Sequence, residues 1–121
     1  MSPVVPRFAV TDDRSAGGAH VVSISGEIHM TTAPDLSEHL TRTIDAGNTA
    51  LVLDLSGVEF IDSTGLSVLL TALRRLSQSD GSLALVCANP TVLRLFHVTS
   101  LDNTFAIFAG RDAACAHVLR A

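Results

Sequence analysis

A chain of 121 residues falls within the size of one domain and is too short for two cores of ordinary size, so residues 1–121 are read as a single domain. With 47% hydrophobic and 17% charged residues it can bury enough apolar surface to offset ordering entropy, which excludes a disordered chain. A formal net charge of −4, with eight dispersed cations, leaves no basic stripe for a phosphate backbone and excludes nucleic acid as a partner.

Val4 to Val10 alternates weakly around Phe8 and predicts a first strand. Thr11 to Gly18, rich in Asp and Gly, reads as a turn, and Ala19 to Ser25 alternates as a second strand, giving an N-terminal antiparallel hairpin. Thr32-Ala33-Pro34-Asp35 has the signature of a helix start, with Thr32 as N-cap and Pro34 and Asp35 in the first turn. Leu36, Leu40 and Ile44 then form one buried face until Gly47. Ala50 to Leu55 is a nearly continuous apolar run, the mark of a central strand buried on both faces. Ser56 to Ile61 reads as a connector. Leu66, Leu69, Leu70, Leu73 and Leu76 give a second helical stripe ending near Gln78 to Gly81, and Leu83 to Cys87 is another buried strand. Asn89-Pro90 opens a short helix with Val92, Leu93 and Phe96 inward; Phe105 to Phe108 forms a last strand, and Asp112 caps a C-terminal helix. The order predicts an α/β fold, a mixed sheet of about five strands with about four helices, the later strands joined by right-handed crossovers.

Several chemistries are excluded by residue type. All eight cations are Arg; without Lys there is no phosphate-binding Walker loop and no Schiff base. The longest apolar stretches, Ala50 to Leu55 and Leu66 to Leu73, fall well short of the ~20 residues a membrane span needs, so no membrane association is expected. Met1 to Arg7 lacks the pattern of a secretory signal, which points to a cytoplasmic location. Cys87 and Cys115, in apolar and alanine-rich surroundings without C-x-x-C spacing, read as buried reduced thiols. The five His show no metal-ligand spacing, so no metal and no cofactor is expected.

The candidate site is Asp62-Ser63-Thr64-Gly65-Leu66, where the connector meets the second helix. Ser63 is placed to be the N-cap, its hydroxyl beside unpaired backbone N–H groups. A helix N-terminus also receives an anion well, so a phosphoryl group on Ser63 would meet donors and a favourable dipole. The residues by themselves are compatible with a capping serine and with a phosphate acceptor.

Gly26-Glu27-Ile28, a capped helix, Leu51 to Ser56, Phe60 to Leu66 and Leu95 to Asp102, taken in order, resemble the STAS family, specifically its stand-alone, serine-phosphorylated anti-sigma factor antagonists. The resemblance covers nearly the whole chain. It implies a STAS-like fold and a non-enzymatic binding protein whose unphosphorylated form binds a kinase anti-sigma factor and releases the sigma factor. It further implies phosphorylation on Ser63 by that kinase, which switches binding off, and restoration by a PP2C-type phosphatase. Thr64 matches a neighbouring position that is not usually the acceptor. Glu27, His29, Asp62, Thr64 and Gly65 would line the partner surface, with Gly65 letting a partner approach closely. His29 stands where many antagonists carry an acidic residue, which bears on partner choice and on pH sensitivity near the ordinary imidazole pKa of ~6.5. The alternative within the family is a subunit of a lipid-transport or stress-signalling complex.

Rivals from other classes fare worse. Asp54 at a strand end, with Asp12 and Asp13, suggests the acidic site of a response-regulator receiver, but that site needs a Lys. An aspartic protease pairs two carboxylates, and no Gly-x-Ser-x-Gly elbow marks a hydrolase.

Overall fold

The computed structural model describes residues 7–120. Five strands, β1 (Ala9–Arg14), β2 (His20–Ile28), β3 (Ala50–Ile61), β4 (Ser82–Val86) and β5 (Ala106–Phe108), form one sheet in the order β1-β2-β3-β4-β5. β1 is antiparallel to β2, and the remaining pairs are parallel. Four α-helices, α1 (Ala33–Asp45), α2 (Ser63–Gln78), α3 (Pro90–Val98) and α4 (Arg111–Arg120), and one 3-10 turn at Leu101–Asn103 complete the fold over the described residues. This is the mixed α/β sheet with an N-terminal hairpin that the sequence predicts.

The apolar run of β3 is central because its alternate side chains feed two cores. Leu51, Leu53 and Leu55 join Val22, Ile24, Leu83 and Leu85 beneath α1, α2 and α3. Val52 joins Val21, Ala84 and Val86 beneath α4. In the larger core Phe96 meets Phe105 edge to face, ring centroids 5.7 Å apart, a geometry that contributes roughly 0.5–1.5 kcal/mol beyond area burial. Asn89 caps α3 as expected, its side chain accepting from the Thr91 N–H at 2.9 Å. No helix among the described residues is long and apolar enough to cross a membrane.

Several local readings are corrected. The first strand is Ala9–Arg14, so Thr11 to Arg14 are strand rather than turn; Val4 to Pro6 lie outside the described residues. Pairing with β2 outweighs the poor strand propensity of Asp12 and Asp13. Asp12 also receives two imidazoles, His20 Nε2 at 2.7 Å and His39 Nε2 at 2.9 Å, which ties the edge strand to β2 and α1. Ser56 to Ile61 is no connector: β3 runs on to Ile61, paired beyond Asp54 with β2 alone. Asp112 lies inside the first turn of α4. Cys87 is buried, and its burial pushes the thiol pKa up, whereas Cys115 is only half-buried.

Asp54, 8% exposed, is the charged member of the interior. Its Oδ2 accepts from Arg111 Nε at 2.6 Å and its Oδ1 from the Ser56 N–H at 2.9 Å. Burial pushes the carboxyl up; hydrogen bonds from the Ser56 hydroxyl and N–H, with the Arg111 guanidinium, outweigh it and leave the pKa lowered. A folded-state pKa below the unfolded value of about 3.9 means that the contribution is fully present above that pH and is lost as pH falls through the folded value. Asp54→Asn should cost about 1–3 kcal/mol near neutral pH, since it weakens a hydrogen-bonded ion pair that is partly open to solvent. Urea midpoints of wild type and variant should converge as pH drops below about 4; a gap independent of pH would contradict this account.

Candidate functional site

The site lies at the edge where β2 and β3 end, with Ile28 registered beside Ile61 and Glu27 beside Phe60. Gly26 makes this edge possible. Its φ of +88° is one that side chains rarely adopt, and a Cβ there would meet the Phe8 backbone nitrogen at 2.7 Å. The pairing with β3 shifts register between Gly26 and Glu27, which re-aims the last residues of β2 toward the edge.

Asp62, not Ser63, caps α2. Its backbone is extended (φ −102°, ψ −175°), and its Oδ1 accepts the Gly65 N–H at 2.9 Å. Its Oδ2 accepts the Met30 N–H at 3.2 Å, and its own N–H donates to the Ile28 carbonyl at 3.0 Å. One residue therefore fixes both the start of α2 and the β2–α1 loop. Thr32 holds the N-cap position of α1 as expected, but its side chain serves the same loop. Its hydroxyl donates to the Glu27 carbonyl at 2.7 Å and accepts the His29 N–H at 3.0 Å, and α1 has no side-chain cap.

Ser63 is the first residue of α2 and is exposed. Its hydroxyl has no hydrogen-bond partner among the described residues; its carbonyl accepts from the Ser67 hydroxyl at 3.0 Å. The Gly65 N–H is taken by the Asp62 side chain and the Leu66 N–H by the Asp62 carbonyl. The N–H groups of Ser63 and Thr64 remain without intrahelical acceptors, at the positive end of the helix. Thr64 is exposed beside Ser63. Gly65 is buried, and a Cβ on it would come within 2.7 Å of both Ile28 and Ile61, so its visible role is to let α2 lie against β2 and β3.

Glu27 and His29 stand on the same rim, with His29 Nε2 3.7 Å from Glu27 Oε1. The Thr31 N–H donates to His29 Nδ1 at 3.2 Å, which leaves Nε2 facing Glu27. The rim also has an apolar part that no sequence pattern marks. Met30 is 75% and Phe60 47% exposed, and Phe60 opens onto a cavity of about 160 Å³ lined by Ile61, Thr91, Val92 and Leu95. Among the described residues no three His, Cys, Asp or Glu side chains are placed to hold a metal. The receiver reading fails on geometry as well: Asp54 is committed to Arg111, and Asp12 to His20 and His39.

Residues 11–114 match the model of the STAS domain. The chain belongs to the STAS family. It is 38% identical over 92 residues to the anti-sigma-F factor antagonist RsfB of Mycobacterium tuberculosis, a match that covers 76% of this chain and 75% of that one. The crystal structure of an anti-sigma factor antagonist from Mycobacterium paratuberculosis superposes with a TM-score of 0.84 at 36% identity, over 93% of this chain and 94% of that one. The Bacillus cell fate determinant SpoIIAA, solved in its phosphorylated form, shares the fold at a TM-score of 0.69 and 21% identity, over 91% of this STAS chain and 99% of its own.

The capping assignment has a direct consequence for stability. Asp62→Ala should cost about 1–2 kcal/mol through the lost cap, whereas Ser63→Ala, at an exposed first helical position, should stay within about 0.5 kcal/mol of wild type. Urea denaturation of the two variants checks this, and the reverse order would return the cap to Ser63.

Proposed function

We propose that this STAS protein is an anti-sigma factor antagonist, a binding protein without turnover, switched by phosphorylation of Ser63. The observation that carries the proposal is the exposed, unpartnered Ser63 hydroxyl on the first turn of α2, beside an Asp62 carboxylate already committed to capping. The family relationship to RsfB supports the same reading. The unphosphorylated form binds a kinase anti-sigma factor in the cytoplasm and so frees the sigma factor; a PP2C-type phosphatase reverses the modification. Glu27, His29, Asp62 and Thr64 form the polar part of the partner surface and Met30 and Phe60 its apolar part, with Gly65 underneath as support.

Phosphorylation adds about −1.5 to −2 charge at this rim. The fold tolerates it, because the free N–H groups of Ser63 and Thr64 and the helix dipole favour an anion there. The complex does not. The phosphoryl group must be desolvated next to Asp62 and Glu27 while Met30 and Phe60 are buried against the partner, so like charges and lost hydration both oppose docking. By linkage, whatever phosphate costs the antagonist complex is the bias it gives the anti-sigma factor toward its sigma factor.

Incubation with the cognate kinase anti-sigma factor and ATP should place phosphate on Ser63, as read by mass spectrometry, and Thr64→Val should leave that modification intact. By calorimetry Ser63→Ala should bind near wild-type affinity. Ser63→Asp and Ser63→Glu should bind more weakly and the phosphoprotein weakest, because a carboxylate carries less charge and fewer acceptor oxygens than a phosphate. Phosphate on Thr64, or equal affinity of the phosphorylated and unmodified proteins, would overturn the mechanism.

A further inference from the structure

The two faces of the sheet are covered very unequally. Three helices and a core of Leu, Ile and Phe side chains lie on one face. On the other, α4 covers Val21, Val52, Ala84 and Val86 and buries only Ala114 and Val118 of its own, about one small side chain per turn. A helix of ten residues is too short to persist alone in water, where about 12–15 residues are marginal. Its folded state therefore depends on its attachment to the sheet.

To that packing one side chain adds the polar attachment. Arg111, the first residue of α4, sends Nε to Asp54 Oδ2 and Nη2 to the Ser23 hydroxyl, each at 2.6 Å, and its Nη1 lies 3.8 Å from Asp13 Oδ2. It thus reaches β3, β2 and β1, while the body of α4 packs on β3, β4 and β5. Beside the pair is an open polar cavity of about 200 Å³, lined among others by Thr11, Ser23, Ser25 and Ser56. Water and hydroxyls there can solvate Asp54 and Arg111 once they part, which lowers the cost of separation relative to a sealed ion pair. Gly110, immediately before α4, has no heavy atom within 4 Å of where a Cβ would stand, so nothing crowds the chain at that point.

We infer that α4 opens as a unit of its own while the rest of the fold stays intact, with the Arg111–Asp54 pair as the latch that sets how often. The open state uncovers an apolar sheet face on the side opposite the α1–α3 layer. Segments that bury little apolar side chain open at lower free energy than the core, and α4, although it lies close against β3, β4 and β5, buries only Ala114 and Val118 of its own.

Hydrogen exchange of the full chain tests this. In wild type the α4 amides should exchange at least about tenfold faster than those of α2, with a weaker urea dependence than global unfolding, because opening exposes α4 and the sheet face beneath it but not the larger core. Arg111→Gln should accelerate α4 exchange by about a further tenfold and leave α1, α2 and β3 unchanged. Equal protection of α4 and α2 in wild type would overturn the inference, as would an Arg111→Gln effect that is absent or spread equally over all elements.

Discussion

One carboxylate, that of Asp62, holds two segments of chain at the edge where β2 and β3 end. One oxygen starts α2 by accepting the Gly65 N–H, and the other accepts the Met30 N–H and fixes the β2–α1 loop. Because this acid does the capping, the serine after it does not have to. Ser63 keeps a free hydroxyl on the first turn, presented to solvent on a rigid element rather than on a mobile loop. Gly65 completes the arrangement: without a side chain it lets α2 rest against Ile28 and Ile61, which sets the height at which Ser63 stands above the sheet.

The same sheet divides the molecule into parts with different duties. α1, α2 and α3 share the large aliphatic core, so the rim that carries Glu27, His29, Met30 and Ser63 is built on the better-packed side. The opposite side relies on small side chains and on the Asp54–Arg111 pair. A charge buried at the centre of β3 is an expensive choice unless it is fully paired, and here Ser56 and Arg111 supply the partners. The result is a protein in which the proposed switch surface and the lightly held helix occupy different faces and can respond independently.

Much of this was open to reading from the residues. The run Ala50 to Leu55 announced a central strand because both of its faces are covered, and Asn89-Pro90 announced a helix start because capping chemistry is local. The misses share a cause in long-range pairing. Ser56 to Ile61 looked like a connector because beyond Asp54 β3 has a neighbour on one side only, so Ser56, Gly57, Glu59 and Phe60 are exposed and blur the apolar pattern. Thr11 to Arg14 looked like a turn because an edge strand with polar side chains has no periodicity to show. Between Asp62 and Ser63, both good capping residues, the choice was made by the Met30 N–H, 32 positions away, which no local rule contains. The apolar rim was hidden for a different reason: nothing local marks Met30 and Phe60 as surface residues, and only the fold places them outside.

In the proposed switch, a single phosphoryl group on Ser63 converts a surface that binds an anti-sigma factor into one that does not, by adding charge and hydration where apolar area must be buried. The most direct measurement is release of sigma factor from a preformed complex with the cognate anti-sigma factor, followed by fluorescence as this protein is titrated in. Full release is expected at stoichiometric amounts of unmodified protein and none from protein phosphorylated at Ser63. Equal release by the two forms, or no release by either, would contradict it.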